Sequence, residues 1–275
     1  MNSPKEVAQN YINIGVGKMK LKASKMLLLA ILAGMFIALA GVGATIASVS
    51  IPSASVAKLV GAAVFPTGLA MVLIAGSELF TGNNLLIIPI LEKQAKVSAM
   101  LRSWVIVYVG NFIGSILVAA FSVYGGTFSL FSNAAAVSVI NTAVAKVSLS
   151  FGNALLRGIL CNFLVCIAVW MAFAAKDIAG KVAGMYLPIM LFVLSGFEHS
   201  IANMYYIAAG MFATTNASYA AAASEAGVNL SRLTWPAMFI KNLIPVTLGN
   251  MIGGVVMVGV VYWFIYLKQD KADKK

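Results

Sequence analysis

The hydrophobic residues of this chain fall into six long segments that short polar stretches separate. The segments cover residues 26–50, 59–91, 103–123, 154–175, 182–213 and 235–267. Most of them hold the roughly 20 apolar residues that a helix needs to cross a bilayer, whereas a transmembrane β-strand needs only about 9–11. The pattern therefore predicts an all-α integral membrane protein with six transmembrane helices.

Two polar motifs occur twice, in the same order, within these segments. The motif G-x-E-x-x-x-x-N lies at 76–83 in the second segment and at 196–203 in the fifth. A basic residue followed after seven positions by G-N-x-I-G begins at Arg102, immediately before the third segment, and at Lys241 in the sixth. The repetition indicates two copies of a three-helix unit. Because each copy has an odd number of spans, the copies are predicted to be inverted repeats.

The second and fifth segments are longer than a single span requires, and each carries its polar motif in the middle. We expect both helices to be broken there. The N-terminus of a half-helix carries partial positive charge, and its unpaired N–H groups can face an anion. The functional site is predicted where the two repeats meet.

Composition leaves no room for a soluble catalytic domain. Hydrophobic residues make up 61% of the chain and charged residues only 10%, against about 25% charged residues in soluble domains. We predict one transmembrane channel domain over 1–275, with a first repeat at 26–123 and a second at 151–267. Residues 1–25 are predicted to be a cytoplasmic interfacial segment and residues 268–275 a cytoplasmic tail.

Basic residues indicate the orientation. If six spans are assumed, fourteen of the 19 basic residues lie on one side. They are Lys5, Lys18, Lys20, Lys22, Lys25, Lys93, Lys96, Arg102, Lys176, Lys181, Lys268, Lys271, Lys274 and Lys275. The positive-inside rule then places both termini in the cytoplasm, as in a multi-pass protein of the cell inner (plasma) membrane. The lysines before the first span suit either an interfacial helix on anionic lipid or a simple topogenic charge cluster.

One histidine and one threonine stand at equivalent breaks. His199 is the only histidine of the chain, and Thr81 lies in the other break. Ionisable groups inside a membrane are rare and usually functional, and a hydroxyl can donate or accept a hydrogen bond. A Thr81–His199 pair is therefore predicted as a polar site near the middle of the membrane.

The acidic and amide residues of the two motifs are predicted to shape the breaks. A buried carboxylate that faced the pathway would repel an anion, so we favour a structural role for Glu78 and Glu198. In that role each accepts hydrogen bonds from the freed backbone amides of its own loop. Asn83 and Asn203 belong to the same loops.

Other residues near the breaks admit two interpretations, ordinary helix packing or a place along the pathway. Apolar rings above and below a polar midpoint would form constrictions that exclude water and large ions. The candidates are Phe65, Leu69, Leu79, Phe80, Phe192 and Phe197. Asn111, Asn162 and Asn250 are amides in apolar segments, where hydrogen bonding between helices is the usual role.

Several classes of function are excluded or disfavoured. A single histidine, together with Cys161 and Cys166 on different faces of one helix, does not suit a metal centre. No nucleotide-binding loop and no nucleophile motif is present, so we predict no cofactor, no enzyme activity and no nucleic-acid partner. A neutral-solute channel is one alternative, although paired N-P-A turns are absent. A proton-coupled carrier of the same anions is another.

Four strings resemble the formate/nitrite transporter family across nearly the whole chain. They are SELFTGN at 77–83, RGILCNFLVCIAVWMA at 157–172, SGFEHSIANMY at 195–205 and NLIPVTLGNMIGG at 242–254. The resemblance implies an aquaporin-like protomer that conducts small monovalent anions, assembled as a homopentamer with one pore in each protomer. The family has formate, nitrite and hydrosulfide branches, and the closing helix looks nearer to formate and hydrosulfide members.

The same resemblance assigns roles to individual residues. It implies that Thr81 and His199 gate or protonate the permeant anion, and that Lys146 attracts anions near the outer vestibule. Pathway or supporting roles are implied for Asn162 and Asn250. Constriction-lining positions are implied for Phe65, Leu69, Leu79 and Phe192.

Overall fold

The computed structural model describes residues 1–268, and every regular element in that range is helical. The longer helices are α1 (Pro4–Met19), α2 (Ala23–Ser48), α3 (Ala54–Gly76), α4 (Gly82–Leu91), α5 (Val97–Tyr124), α6 (Ala134–Val147), α7 (Phe151–Ala174), α8 (Ile178–Leu194), α9 (Ser200–Ala213), α10 (Ala217–Glu225) and α11 (Trp235–Lys268). The predicted all-α membrane class is confirmed. Of the predicted tail, residues 269–275 lie outside the described residues, and with them Lys271, Lys274 and Lys275.

Five helices are long and apolar enough to cross a membrane: α2, α3, α5, α7 and α11. The second hydrophobic segment consists of α3 and α4 with a non-helical stretch between them, and the fifth consists of α8 and α9 in the same way. Each half-helix is shorter than a full span, apart from α3. The count of six spans therefore stays a prediction, while both interruptions lie at the motifs that predicted them.

Glycines of the repeated G-N-x-I-G motif bring helices into close contact. A methyl group added at Gly114 of α5 would collide with the carbonyl oxygen of Ile31 in α2. At the equivalent Gly253 of α11, a methyl group would collide with the carbonyl oxygen of Ile159 in α7. The α2–α5 and α7–α11 pairs therefore pack backbone to backbone, as small residues allow in membranes. These two pairs frame the two interrupted segments.

Two helices extend the predicted organisation. Helix α1 precedes the first span, and α6, which lies between the two predicted repeats, precedes α7 in the same way. Both helices end a few residues before a long span and carry a lysine in their last turn, Lys18 in α1 and Lys146 in α6. Each structural unit is therefore longer than a three-helix repeat.

Candidate functional site

The first interruption is held open by an asparagine of the neighbouring helix. Gly76 ends α3 with φ of +85°, a left-handed conformation that glycine adopts without strain. The Asn111 side chain then accepts a hydrogen bond from Phe80 N at 3.0 Å and donates to the carbonyl oxygens of Glu78 and Ala30 at 2.9 and 2.7 Å. Backbone groups that the break frees are thus bound by one amide.

The second interruption repeats this arrangement. Gly196, two residues after the end of α8, has φ of +69°. Asn250 accepts from Ser200 N at 2.9 Å and donates to the carbonyl oxygens of Glu198 and Gly158 at 3.0 and 2.8 Å. The asparagines of the two G-N-x-I-G motifs therefore have the same three partners in each half. For Asn250 these contacts favour the supporting role over the pathway role.

Glu78 and Glu198 accept hydrogen bonds from side chains. The prediction that backbone amides of their own loops are the donors was therefore wrong. Lys18 Nζ lies 3.0 and 2.9 Å from the two carboxylate oxygens of Glu78, and Asn83 Nδ2 donates to the same carboxylate at 2.8 Å. The expected backbone amides of the loop are engaged elsewhere, Glu78 N with Leu29 O at 3.2 Å. Because Lys18 and Glu78 are mostly buried, this pair is a structural link between α1 and the first break.

The second half contains the matching group. Lys146 Nζ lies 3.1 Å from both carboxylate oxygens of Glu198, and Asn203 Nδ2 donates to that carboxylate at 2.6 Å. Asn203 also donates to Asn242 Oδ1 at 2.8 Å. The resemblance implied that Lys146 attracts anions. Its ammonium group is instead paired with Glu198, so it adds little net charge to its surroundings.

A sequence signal for the two lysines was present and missed. Residues 12–18 read INIGVGK and residues 140–146 read INTAVAK. Both have the form I-N-x-small-V-small-K, and both end on the lysine that binds the glutamate of the same half. The duplication therefore includes α1 and α6.

Thr81 and His199 are in contact at the junction of the halves. Thr81 Oγ1 lies 3.0 Å from His199 Nε2, and both residues are buried, with exposures of 0% and 3%. Each stands at the N-cap position of a half-helix, Thr81 before α4 and His199 before α9. The positive ends of two helix dipoles therefore converge on this pair.

The hydrogen bonds of His199 assign its tautomer. The N–H of Ala202 donates to His199 Nδ1 at 3.1 Å, so Nδ1 is an acceptor and carries no proton. In the neutral ring the proton is then on Nε2, which donates toward Thr81. The ring also stacks on Phe192, with centroids 5.8 Å apart. Its orientation is therefore fixed from both sides.

Thr81 is held from the second half by Asn162. The Asn162 side chain donates to the carbonyl oxygens of Thr81 and Asn250 at 3.2 and 2.8 Å. Asn84 donates to the same Thr81 carbonyl at 3.1 Å. As with Asn250, these contacts favour a supporting role for Asn162.

Two large cavities lie on either side of the junction. The first, here the Lys146 vestibule, has a volume of about 540 Å³ and is lined by Lys58, Phe65, Lys146, Phe192 and His199 among others. The second, here the Lys18 vestibule, has a volume of about 490 Å³ and is lined by Lys18, Lys25, Glu78 and Lys181 among others. The two vestibules share no lining residue.

The predicted constriction residues line the Lys146 vestibule or a smaller cavity. Phe65 and Phe192 make an edge-to-face contact with centroids 5.7 Å apart beside His199. Leu69 and Leu79 line a small cavity of about 30 Å³ next to the Lys18 vestibule. Phe80 packs against Trp104 and Tyr108 instead, which corresponds to the packing interpretation.

The comparison with known proteins decides the family. A family model described as "Formate/nitrite transporter" matches residues 5–264. The chain belongs to the formate/nitrite transporter family. The resemblance predicted from the four strings is thereby confirmed, and so is the absence of an enzyme class, because family members are channels or transporters.

Relatives and solved structures agree with this membership. A "Probable formate transporter" of Methanothermobacter thermautotrophicus is 39% identical over 97% of this chain and 98% of that protein. The "Formate channel FocA" of Escherichia coli (strain K12) is 37% identical over 97% of this chain and 95% of its own. A solved "Pentameric formate channel with formate bound" has a TM-score of 0.78 and 36% identity, covering 89% of this chain and 98% of that one. The chain is a multi-pass membrane protein of an anion transport family.

Proposed function

We infer that this protein is a channel for small monovalent anions, with formate as the first candidate cargo. The observation that carries this function is the contact between Thr81 and His199, two N-cap residues that lie between two lysine-lined vestibules. The proposed path runs from the Lys146 vestibule past Phe65, Phe192 and His199, then past Leu69 and Leu79 to the Lys18 vestibule. Nitrite and hydrosulfide have the same charge and similar size, and we include them as further candidates.

The junction suits a small anion for electrostatic reasons. Removing an ion from water costs several kcal/mol even after the protein relaxes. The N–H of His199 Nε2, the hydroxyl of Thr81 and the positive ends of α4 and α9 offset part of that cost for one negative charge. A divalent anion loses far more hydration energy and gains no further donors. We therefore expect sulfate to be excluded.

The tautomer of His199 favours hydrogen bonding over proton transfer. A neutral ring protonated on Nε2 can donate a hydrogen bond to a carboxylate such as formate. Transfer of that proton would leave an imidazolate unless Nδ1 first took up a proton, and Nδ1 is occupied as the acceptor of Ala202 N–H. A proton-coupled carrier would have to break this contact in each cycle, so the channel is the function that the geometry supports best.

We also propose the assembly and placement of the channel. The pentameric formate channel covers 89% of this chain, which supports a homopentamer with one path in each protomer. The basic residues assigned to one side support cytoplasmic termini and a place in the cell inner membrane.

Flux measurements with the full-length protein in liposomes test the function. Stopped-flow recordings would compare formate, nitrite, hydrosulfide, acetate, chloride, sulfate and glycerol on the same vesicles, with protein-free liposomes as control. We expect formate flux well above that of empty liposomes and no sulfate flux. Planar-bilayer recording would add discrete unitary currents. Formate flux equal to that of empty liposomes, or permeation by glycerol without formate, would reject the proposal.

A further inference from the structure

A separate cavity lies between the end of α1 and the beginning of α5, away from the proposed path. Its volume is about 440 Å³. Three basic side chains line it, namely those of Lys20, Lys96 and Arg102. Its apolar lining comes from Val16, Met19, Ala95 and Ala99. The cavity therefore combines concentrated positive charge with an apolar floor.

The three cations of this cavity lack acidic partners. Within residues 1–268, none of them forms an ion pair with a carboxylate, in contrast to Lys18 and Lys146. The Arg102 guanidinium donates from both terminal nitrogens to Leu21 O at 3.3 Å, which fixes the group beside the cavity while keeping its charge. The positive charge here is uncompensated.

The N-terminus of α5 adds to the same electrostatic preference. Lys96 is its N-cap residue, no side chain caps the helix, and its first turn holds no acidic residue. The first N–H groups of a helix and its dipole both favour an anion. Because α5 is 28 residues long and apolar, its N-terminus lies at a face of the membrane, where lipid headgroups are found.

Apolar side chains continue from the cavity along the outside of α5. Val97, Leu101 and Val105 follow one another at intervals of four residues, and all three are exposed. Residues four apart lie on neighbouring positions of one helix face. An amphiphile with its headgroup in the cavity would therefore meet an apolar surface directly beside it, where its acyl chains would lie.

We propose that this cavity binds the phosphate headgroup of an anionic phospholipid, such as phosphatidylglycerol. Lys20, Lys96 and Arg102 hold the phosphate, and Val97, Leu101 and Val105 contact the acyl chains. The charges of the cavity and its position at the end of a membrane helix favour a lipid over a soluble phosphate. On the predicted orientation this face is cytoplasmic, where anionic lipid attracts basic groups.

The test titrates short-chain phosphatidylglycerol into the detergent-solubilised full-length protein and counts bound lipid by native mass spectrometry. Phosphatidylcholine of the same chain length is the headgroup control. Each basic residue near an anionic surface contributes about fivefold in affinity. We expect Lys96→Gln to weaken phosphatidylglycerol binding about fivefold, and the triple Gln variant of Lys20, Lys96 and Arg102 to weaken it about a hundredfold.

A matched triple Gln variant of Lys22, Lys93 and Lys176 removes the same charge from exposed sites on the same predicted side. It should bind phosphatidylglycerol like the unmodified protein. Equal loss in both triple variants would overturn the proposal, and so would equal affinity for phosphatidylcholine. Inorganic phosphate that competes at the same concentration as the lipid would assign the cavity to free phosphate and overturn the lipid assignment. If the triple variant does not fold, the single variant gives the same decision.

Discussion

At the scale of single residues, the polar chemistry of the junction depends on two N-cap positions. The His199 side chain caps the first turn of α9, so the backbone determines where its ring nitrogens point, whereas the Thr81 side chain makes no capping hydrogen bond to α4. In His199 the bond from Ala202 N–H occupies Nδ1 and leaves Nε2 directed at Thr81. The donors are thus oriented before an anion arrives, and binding requires little rearrangement.

Capping and anion binding by His199 are separable by substitution. His199→Asn keeps a good N-cap residue for α9 but is too short to replace Nε2. We expect formate flux to fall at least about tenfold, the loss that follows from removing a hydrogen bond to a charged group. The melting temperature should stay near that of the unmodified protein. Stopped-flow flux and thermal unfolding measure the two effects.

Two further variants complete this comparison. His199→Phe removes both functions, so flux should fall and stability should drop by about 1 kcal/mol through loss of the cap. Thr81→Ser keeps the hydroxyl and should conduct formate. Normal formate flux in His199→Asn would show that the imidazole only begins the helix and has no part in conduction.

The buried ion pairs give a second prediction at this scale. The Lys146 and Glu198 side chains are 15% and 7% exposed, so removing one partner leaves a charge in a largely dry site. We expect Lys146→Gln to destabilise the protein by about 3 kcal/mol. The double variant Lys146→Gln with Glu198→Gln should recover much of that loss, because no unpaired charge remains. Chemical denaturation in detergent measures both.

The equivalent pair of the first half is the natural control. Lys18→Gln, alone and with Glu78→Gln, should give the same order of stabilities, although smaller in size because Lys18 is 23% exposed. If the double variant of one half is less stable than the single Lys variant of the same half, the view of these groups as matched ion pairs is contradicted.

At the scale of helices, contact between backbones determines which substitutions the frame tolerates. A methyl group at Gly114 would meet the carbonyl of Ile31, which belongs to helix backbone and cannot rotate away. We expect Gly114→Ala, and likewise Gly253→Ala, to destabilise the protein by about 1–3 kcal/mol through overpacking. Thermal unfolding of the purified variants measures the effect.

Gly152 of α7 serves as the matched control for these substitutions. Apart from the neighbouring backbone of α7 itself, no atom lies within 4 Å of a methyl group added there, so Gly152→Ala should be neutral or stabilise by up to about 1 kcal/mol through helix propensity. Equal destabilisation at Gly114 and Gly152 would mean that glycine acts through chain flexibility rather than through close contact.

These elements also show what hydropathy can and cannot predict. The length of the apolar segments predicted the membrane class, and the G-x-E-x-x-x-x-N motifs predicted both interruptions. Hydrocarbon offers no hydrogen-bond partners to polar side chains or to unpaired backbone groups, so such a motif within a span must be surrounded by protein. Helix α6 was not predicted because its 14 residues are too few for a membrane span. The pairing of Lys18 with Glu78 was not predicted because the two residues are 60 positions apart, and charge counting treats every lysine as solvated.

At the scale of the whole molecule, a nearly symmetrical frame carries an unsymmetrical charge distribution. The two ion pairs cancel the charges of Lys18 and Lys146 on their own sides. What remains at the vestibules is Lys58 on one side and Lys25 with Lys181 on the other. The contacts that occur in both halves determine how the helices pack. The electrostatic potential of the vestibules comes instead from the unpaired lysines. We therefore expect the capture of anions to depend on residues outside the duplicated motifs.

Lys58 provides the sharpest test of this view. In the part of the chain that the structure describes, no carboxylate forms an ion pair with it, and it lines the same vestibule as the neutralised Lys146. One charge at about 10 Å in water changes the local concentration of a monovalent anion about twofold. We therefore expect Lys58→Gln to lower formate flux about twofold at low ionic strength, and Lys58→Glu about fourfold. Stopped-flow flux in liposomes measures both.

The dependence on salt distinguishes steering from structural damage. Both effects should vanish at high ionic strength, where the Debye length falls to about 3 Å. Lys241→Gln removes an exposed charge on the same predicted side but outside the vestibule, so it should leave flux unchanged. A Lys58 effect that persists in high salt would mean that the residue acts on the structure of α3, and the field of the vestibule would then have to come from other residues.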